Sequence, residues 1–76
     1  MYKQLMDLAH EMRYREQKLK EDADLFARLA KNEIEQKDML VAKCYLERAN
    51  EYIDNAKIFG YFAERLENIL EVEDEQ

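Results

Sequence analysis

Small and large apolar residues alternate with helical spacing along nearly the whole chain. In the second half, alanine returns every seven residues at Ala42, Ala49, Ala56 and Ala63, and Leu70 continues the series. A large side chain follows each alanine by three residues, at Tyr45, Tyr52, Phe59 and Leu66. This alternation of three and four residues predicts a helix that packs along one stripe, with the small residues at heptad position a and the large ones at d.

The first half of the chain repeats the same scheme. Its a positions are Ala9, Glu16, Ala23 and Ala30, and its d positions are Leu5, Met12, Leu19 and Phe26. Two matching stripes predict two helices that pack on each other. Alanine lets the two backbones approach closely while the large d side chains cover the sides of the contact, which favours an antiparallel hairpin.

The turn is predicted from a change of phase. A frame continued from Ala30 does not meet the series that begins at Ala42, because the two differ by two residues. Asp38, just before the segment MLVAK, is a suitable N-cap. We therefore predict helix 1 at about residues 2–35, a turn at about 35–39, helix 2 at about 39–71, and an acidic C-terminal tail at 72–76. No Gly or Pro marks the turn, so one unbroken helix of about 70 residues remains the alternative.

Composition supports an all-α fold. The chain of 76 residues has one Gly, no Pro and 39% charged residues, which leaves few turn formers and many helix formers. A single domain of this length has a small core and is marginally stable unless association adds to it.

Apolar residues also occur outside the a and d positions. They are Met6, Leu8, Ala27, Leu29, Ile34, Val41, Leu46, Ile53, Ile58, Tyr61, Phe62, Ile69 and Val72. One neighbouring helix cannot cover so broad a surface. We predict a homodimer that forms a four-helix bundle, with a different protein as partner or a self-sufficient monomer as the alternatives.

Charge is unevenly distributed in this acidic chain. The net charge is −6, yet residues 1–31 carry seven basic and six acidic side chains while residues 32–76 carry five basic and twelve acidic ones. The acidic excess disfavours nucleic acid as a general partner and suits a protein with a basic surface. Maintaining solubility is the alternative role for these charges.

Glu16 departs from the alanine series, because it places a carboxylate where the helices should meet. Such a group must pair with Arg13, Arg15 or a second chain, or else reach water between slightly splayed helices. We expect it to lie level with Ala56, close to Asp54 and Gly60, and we interpret Gly60 as a position of close helix approach.

Candidate catalytic and metal-binding residues are few. Asp7 and His10 have the i, i+3 spacing of some metal sites, but both face away from the predicted contact and no second such segment exists. Cys44 is the only cysteine and is remote from His10, the only histidine. The sequence therefore predicts no enzyme, no catalytic residue, no metal site and no cofactor.

Location is predicted from the same features. A single cysteine is typical of a reducing compartment. The first residues lack the apolar region of a signal peptide, and no segment has the length of a membrane span. We expect a soluble, cytoplasmic protein without membrane contact.

These observations favour a small acidic protein-binding module that acts by occlusion or bridging. The predicted contacts are Leu46, Ile53, Tyr61, Phe62, Glu64, Glu67, Ile69 and Glu71. Such a module could inhibit a host nucleic-acid machine, as a phage-encoded anti-defence protein would, or serve as a regulatory adaptor. A co-chaperone of a secretion subunit is an alternative that uses the same physics.

A further alternative is an RNA-binding hairpin dimer. Its contacts would be the basic residues Arg13, Arg15, Lys18 and Lys20. Hairpin dimers of the Rop type bind RNA on one face, but the analogy is architectural and no motif residues are shared. Acidic residues that lie between these four reduce the net positive charge available to contact RNA.

Overall fold

The protein is an antiparallel hairpin of two long helices. The computed structural model describes residues 1–75, and side chains are described for residues 1–72. Helix α1 spans Tyr2–Glu35, helix α2 spans Met39–Glu75, and the two pack along their length to form a rod of 59 × 14 × 13 Å. The prediction of an all-α hairpin is confirmed, and the alternative of one unbroken helix is wrong.

Alanine forms almost all of the interior. The buried residues among those described are Ala9, Ala23, Ala30, Ala42, Ala49, Ala56, Ala63 and Leu70. The large d side chains are half-buried and pack beside the alanines; the ring of Phe26, for example, lies 5.9 Å from that of Tyr45 and 5.5 Å from that of Tyr52. The predicted pattern of contact is therefore present, with methyl groups and backbone at the centre and large side chains along the edges.

The C-terminus of α1 ends in a left-handed residue. Lys37 has φ of 65°, its N–H donates to the carbonyl of Ile34 at 3.0 Å, and the N–H of Asp38 donates to the carbonyl of Glu33 at 2.8 Å. This pair of hydrogen bonds is the Schellman arrangement, which satisfies carbonyls that the helix leaves without a partner. Glycine usually occupies this position, and a lysine there accepts steric strain.

The N-terminus of α2 is capped by Asp38, as the sequence predicts. Its side-chain Oδ1 accepts a hydrogen bond from the N–H of Val41 at 3.3 Å, and its carbonyl accepts from the N–H of Ala42 at 3.1 Å. Because Asp38 caps α2 one residue after the left-handed Lys37, three residues suffice to reverse the chain.

We expect Lys37→Gly to raise the free energy of unfolding by about 1 kcal/mol, because glycine adopts positive φ without a Cβ clash. Urea denaturation followed by circular dichroism would measure the change. Lys37→Ala is the matched control, since it removes the same charge but keeps the strain. An equal gain from alanine would contradict the explanation, because charge would then be the cause.

The end of α2 differs from the prediction. The sequence predicts an acidic tail from residue 72, but α2 continues through Glu75, and Gln76 lies outside the described residues. Nothing after Leu70 breaks a helix, because the segment contains no Gly or Pro. The unfavourable placement of acidic residues at a helix C-terminus costs only about 0.3–1 kcal/mol each, too little to end the helix.

Candidate functional site

A polar cluster interrupts the alanine contact near its middle. Glu16 occupies an a position with only 15% of its side chain exposed, and it faces Gly60. A Cβ built on Gly60 would lie 3.0 Å from Cδ of Glu16 and closer still to its Oε2. Glycine therefore makes the space that lets a glutamate replace alanine in this contact.

Two cations neutralise Glu16. The Nη1 of Arg13 donates to Glu16 Oε1 at 2.8 Å, and the Nζ of Lys20 lies 3.4 Å from Glu16 Oε2. Arg13 is one of the partners that the sequence predicts, whereas Lys20 is an additional one. Glu16 is therefore paired within one chain, and 15% of its side chain remains exposed.

Arg13 also joins the two helices. Its Nε and Nη2 donate to the two carboxylate oxygens of Glu67 at 3.0 and 2.6 Å. The hydrogen bonds from Arg13 lower the pKa of both Glu16 and Glu67 below the ordinary value of 4.5, while Glu67 and then Glu16 raise the pKa of Arg13. All three groups are thus charged at neutral pH, and Glu67, a predicted partner contact, is engaged by α1.

The four basic residues predicted to contact RNA do not share one surface. Arg13 and Lys20 lie beside Glu16 on one side of the hairpin, whereas Arg15 and Lys18 lie on the other side, where Arg15 sits 5.9 Å from the ring centre of Phe59. Each of these four cations forms an ion pair with a carboxylate. The pairs not yet named are Arg15 with Glu11 at 3.1 Å and Lys18 with Asp22 at 3.6 Å.

The predicted protein-binding residues are all exposed, but they do not form one face. Leu46 and Ile53 each lie four residues after an a position of α2, whereas Phe62 and Ile69 each lie one residue before an a position. At 100° per residue these two pairs project to opposite sides of the buried stripe. Tyr61 points away from α1 with its ring 5.5 Å from that of Phe62, and Glu64 and Glu71 lie on the same side as Leu46.

We call the side of the hairpin that carries Leu46 and Ile53 the Leu46 flank. Arg13 and Glu67 each lie four residues after an a position of their own helix, as Leu46 and Ile53 do, and they contact each other. Residues of α1 with this spacing therefore lie on the same side of the hairpin as Leu46. The apolar members of the Leu46 flank are Met6, Ala27, Ile34, Met39, Leu46 and Ile53. All of them except Met6, which lies near the open end, are in the half of the hairpin nearest the turn.

We call the opposite surface the Phe62 flank. Its apolar members are Leu8, Leu25, Leu29, Val41, Ile58, Phe62, Ile69 and Val72. These residues occur at intervals along the whole length of the rod, with Ile58 near its middle. An open groove beside Phe59 lies on this side and is lined by Glu11, Tyr14, Arg15, Lys18 and Leu19.

Sequence analysis misses two exposed apolar residues that belong to these flanks. Met39, 60% exposed, precedes Leu46 by seven residues, so the same heptad count that finds Leu46 and Ile53 could have found it. Leu25, 52% exposed, precedes Leu29 by four residues on the outer side of α1. Both extend a flank beyond its predicted residues.

The residues considered for chemistry stay separate. Cys44, Asp7 and His10 are exposed, and within the described residues no group of three His, Cys, Asp or Glu side chains is placed to hold a metal ion. Neither helix, over its described length, contains an apolar segment that could cross a membrane. Comparison of the chain with protein-family models, with curated proteins and with known structures finds no match.

Proposed function

We propose that this chain is a non-enzymatic protein-interaction module whose exposed flanks are covered by a second copy and by a partner protein. The main support is the imbalance between its interior and its surface. Seven alanines and one leucine are buried, whereas sixteen large hydrophobic side chains are exposed among residues 1–72.

Free energy favours covering this surface. Fully burying one large apolar side chain contributes about 1.5–3 kcal/mol, and each flank residue, still about half exposed, would contribute part of that against the cost of association. Leu70 is the largest buried side chain among residues 1–72, and a domain of this size is marginal alone. A dimer of hairpins is a four-helix bundle, which is the usual way to cover such faces.

The partner protein is expected to present a basic surface. The acidic excess lies in residues 32–76, and Glu64 and Glu71 remain exposed on the side of the Leu46 flank. Binding would act by occlusion, as in an inhibitor of a nucleic-acid machine, or by bridging, as in an adaptor or a secretion co-chaperone. The reducing cytoplasm suits the lone thiol of Cys44. RNA binding has less support, because its basic residues are divided between two sides.

Sedimentation equilibrium over a range of concentrations tests self-association. We expect a mass twice that of the single chain, and a shift towards monomer with a glutamate on the flank that the second copy covers, which is Phe62→Glu for one flank and Leu46→Glu for the other. Asn68→Glu is the control, because Asn68 is exposed on the outer side of α2, outside both flanks. A folded wild-type chain that stays monomeric at every concentration would overturn self-association.

Binding to a partner is tested separately with immobilised protein and cell lysate. A specific partner should be recovered by the wild type and by Asn68→Glu, but lost with a glutamate on one of the two flanks. Binding should persist in moderate salt, because apolar contact contributes to it. Recovery that is indifferent to glutamate on either flank would contradict the proposed surface.

A further inference from the structure

We infer that the half of the hairpin that carries the chain ends can open while the half nearest the turn stays closed, and that the ion pair of Arg13 with Glu67 opposes this opening. We call residues 2–16 and 60–72 the terminal half and residues 17–59 the turn half. The boundary is the contact of Glu16 with Gly60. The inference concerns motion within one hairpin, so it goes beyond the proposed binding function and does not depend on it.

The turn half is held by its connection and by aromatic packing. Residues 36–38 join the two helices, and the hydrogen bonds of this turn satisfy backbone groups at both helix ends. Nearby, Phe26 of α1 packs against the rings of both Tyr45 and Tyr52 of α2. Aromatic pairs in contact stabilise a fold beyond the apolar area that they bury. Separation of the helices in this half would break both the turn and the aromatic cluster.

The terminal half has fewer constraints. Helix α1 begins after Met1 without a hydrogen bond from a capping side chain, and the two helices are not connected at this end. Only three of the described residues here are buried, namely Ala9, Ala63 and Leu70. Among residues 2–16 and 60–72, no aromatic ring of one helix packs against a ring of the other. Because local opening begins where few contacts must be broken, we expect it to begin in this half.

The boundary combines two features that interrupt the alanine contact. Gly60 lies inside α2, where glycine weakens a helix because it has more conformational freedom to lose than alanine. Opposite it, Glu16 replaces alanine in the buried stripe and places a charge between the helices. An opening that begins at the chain ends can therefore stop at this level without reaching the turn half.

One ion pair among residues 1–72 joins the two helices, and it lies in the terminal half. The Nε and Nη2 of Arg13 donate to both carboxylate oxygens of Glu67, and its Nη1 donates to Glu16. The other ion pairs of these residues connect side chains three or four positions apart on a single helix. The helices of the terminal half cannot separate as a unit unless the charge-assisted hydrogen bonds between Arg13 and Glu67 break.

Exposure limits the size of this effect. The side chains of Arg13 and Glu67 are 42% and 45% exposed, so water and salt weaken their attraction. We expect removal of the pair to increase the population of the open state about threefold, as for other partly exposed ion pairs. The ion pair therefore adjusts an equilibrium that the buried residues of the terminal half largely determine.

Native-state hydrogen exchange in the full chain tests independent opening. Ala9 and Ala30 are matched probes, because both are buried and lie seven residues from Tyr2 and from Lys37 respectively. Where exchange reports the equilibrium of opening, the amide of Ala9 should exchange about tenfold faster than that of Ala30 after correction for intrinsic rates. Equal protection of the two amides would show that the hairpin opens as one unit and would overturn the inference.

Removal of the ion pair tests its role. Glu67→Gln keeps the size of the side chain but removes its charge, so protection at Ala9 should fall about threefold while protection at Ala30 stays the same. Glu64→Gln is the matched control, because it removes the same charge from an exposed residue one turn earlier in α2, and it should change neither amide. No loss at Ala9 in Glu67→Gln, or an equal loss in Glu64→Gln, would contradict the role of the pair.

Restoring an unbroken alanine stripe tests the boundary. In a chain that combines Glu16→Ala with Gly60→Ala, the interruption between the halves is absent, and circular dichroism would show that the chain remains helical. The difference in protection between Ala9 and Ala30 should then become smaller than in the wild type. An unchanged difference would show that residues 16 and 60 do not limit the opening.

Discussion

Replacing Ala56 with leucine should lower the free energy of unfolding by about 3 kcal/mol, towards the upper end of the effect of overpacking. Ala56 is 1% exposed and lies where the two backbones approach through alanine alone. A leucine there cannot be accommodated by a rotamer change, because the atoms it meets belong largely to the facing helix. The helices must move apart and lose the packing of neighbouring rings.

Chemical denaturation at a fixed protein concentration would measure this loss. Lys57→Leu is the control, because it adds a leucine to the next, exposed position of the same helix and should change stability by less than about 0.5 kcal/mol. Similar stabilities for the two leucine variants would show that the helices do not approach closely at Ala56.

Gly60→Ala should lower the free energy of unfolding in the wild type and raise it in a Glu16→Ala chain. In the wild type we expect a loss of about 1 kcal/mol, because the new Cβ displaces the Glu16 carboxylate from Arg13 and Lys20 and this outweighs the gain in helix propensity. In a Glu16→Ala chain the space is free, so the same substitution should add about 1 kcal/mol.

The double-mutant cycle isolates the interaction of residues 16 and 60. Their coupling should be about 2 kcal/mol, well above the value for distant sites. A second cycle pairing Glu16→Ala with Ala27→Gly, which is exposed and lies on α1, should show no coupling. Additive effects at 16 and 60 would mean that Glu16 does not depend on the glycine.

The hairpin could be predicted because its signal is repeated. Each alanine from Ala42 to Ala63 indicates the same buried stripe, and a matching stripe in the first half identifies its neighbour. The same register predicts Glu16 level with Ala56 and close to Gly60, and the structure places it against Gly60, one helical turn further along α2. The phase change locates the turn, and Asp38 gives it a recognisable cap.

Other features depend on three-dimensional relations that the sequence does not display. The left-handed conformation of Lys37 has no glycine to indicate it, because tertiary packing of the helices compensates for the strain. The contact between Arg13 and Glu67 joins residues far apart in sequence and depends on helix register. The division of Leu46 and Phe62 between two sides is visible in the heptads, but treating all exposed apolar residues as one stripe conceals it.

The change of phase between the two alanine stripes has a consequence for chain exchange. If residues 36–38 became helical, the stripes of α1 and α2 would lie about 120° apart on one continuous helix, because twelve residues separate Ala30 from Ala42. Two such opened chains laid antiparallel could bring both stripes into contact only by twisting around each other through that angle. The phase of the two stripes thus favours the closed hairpin over exchange of helices between chains.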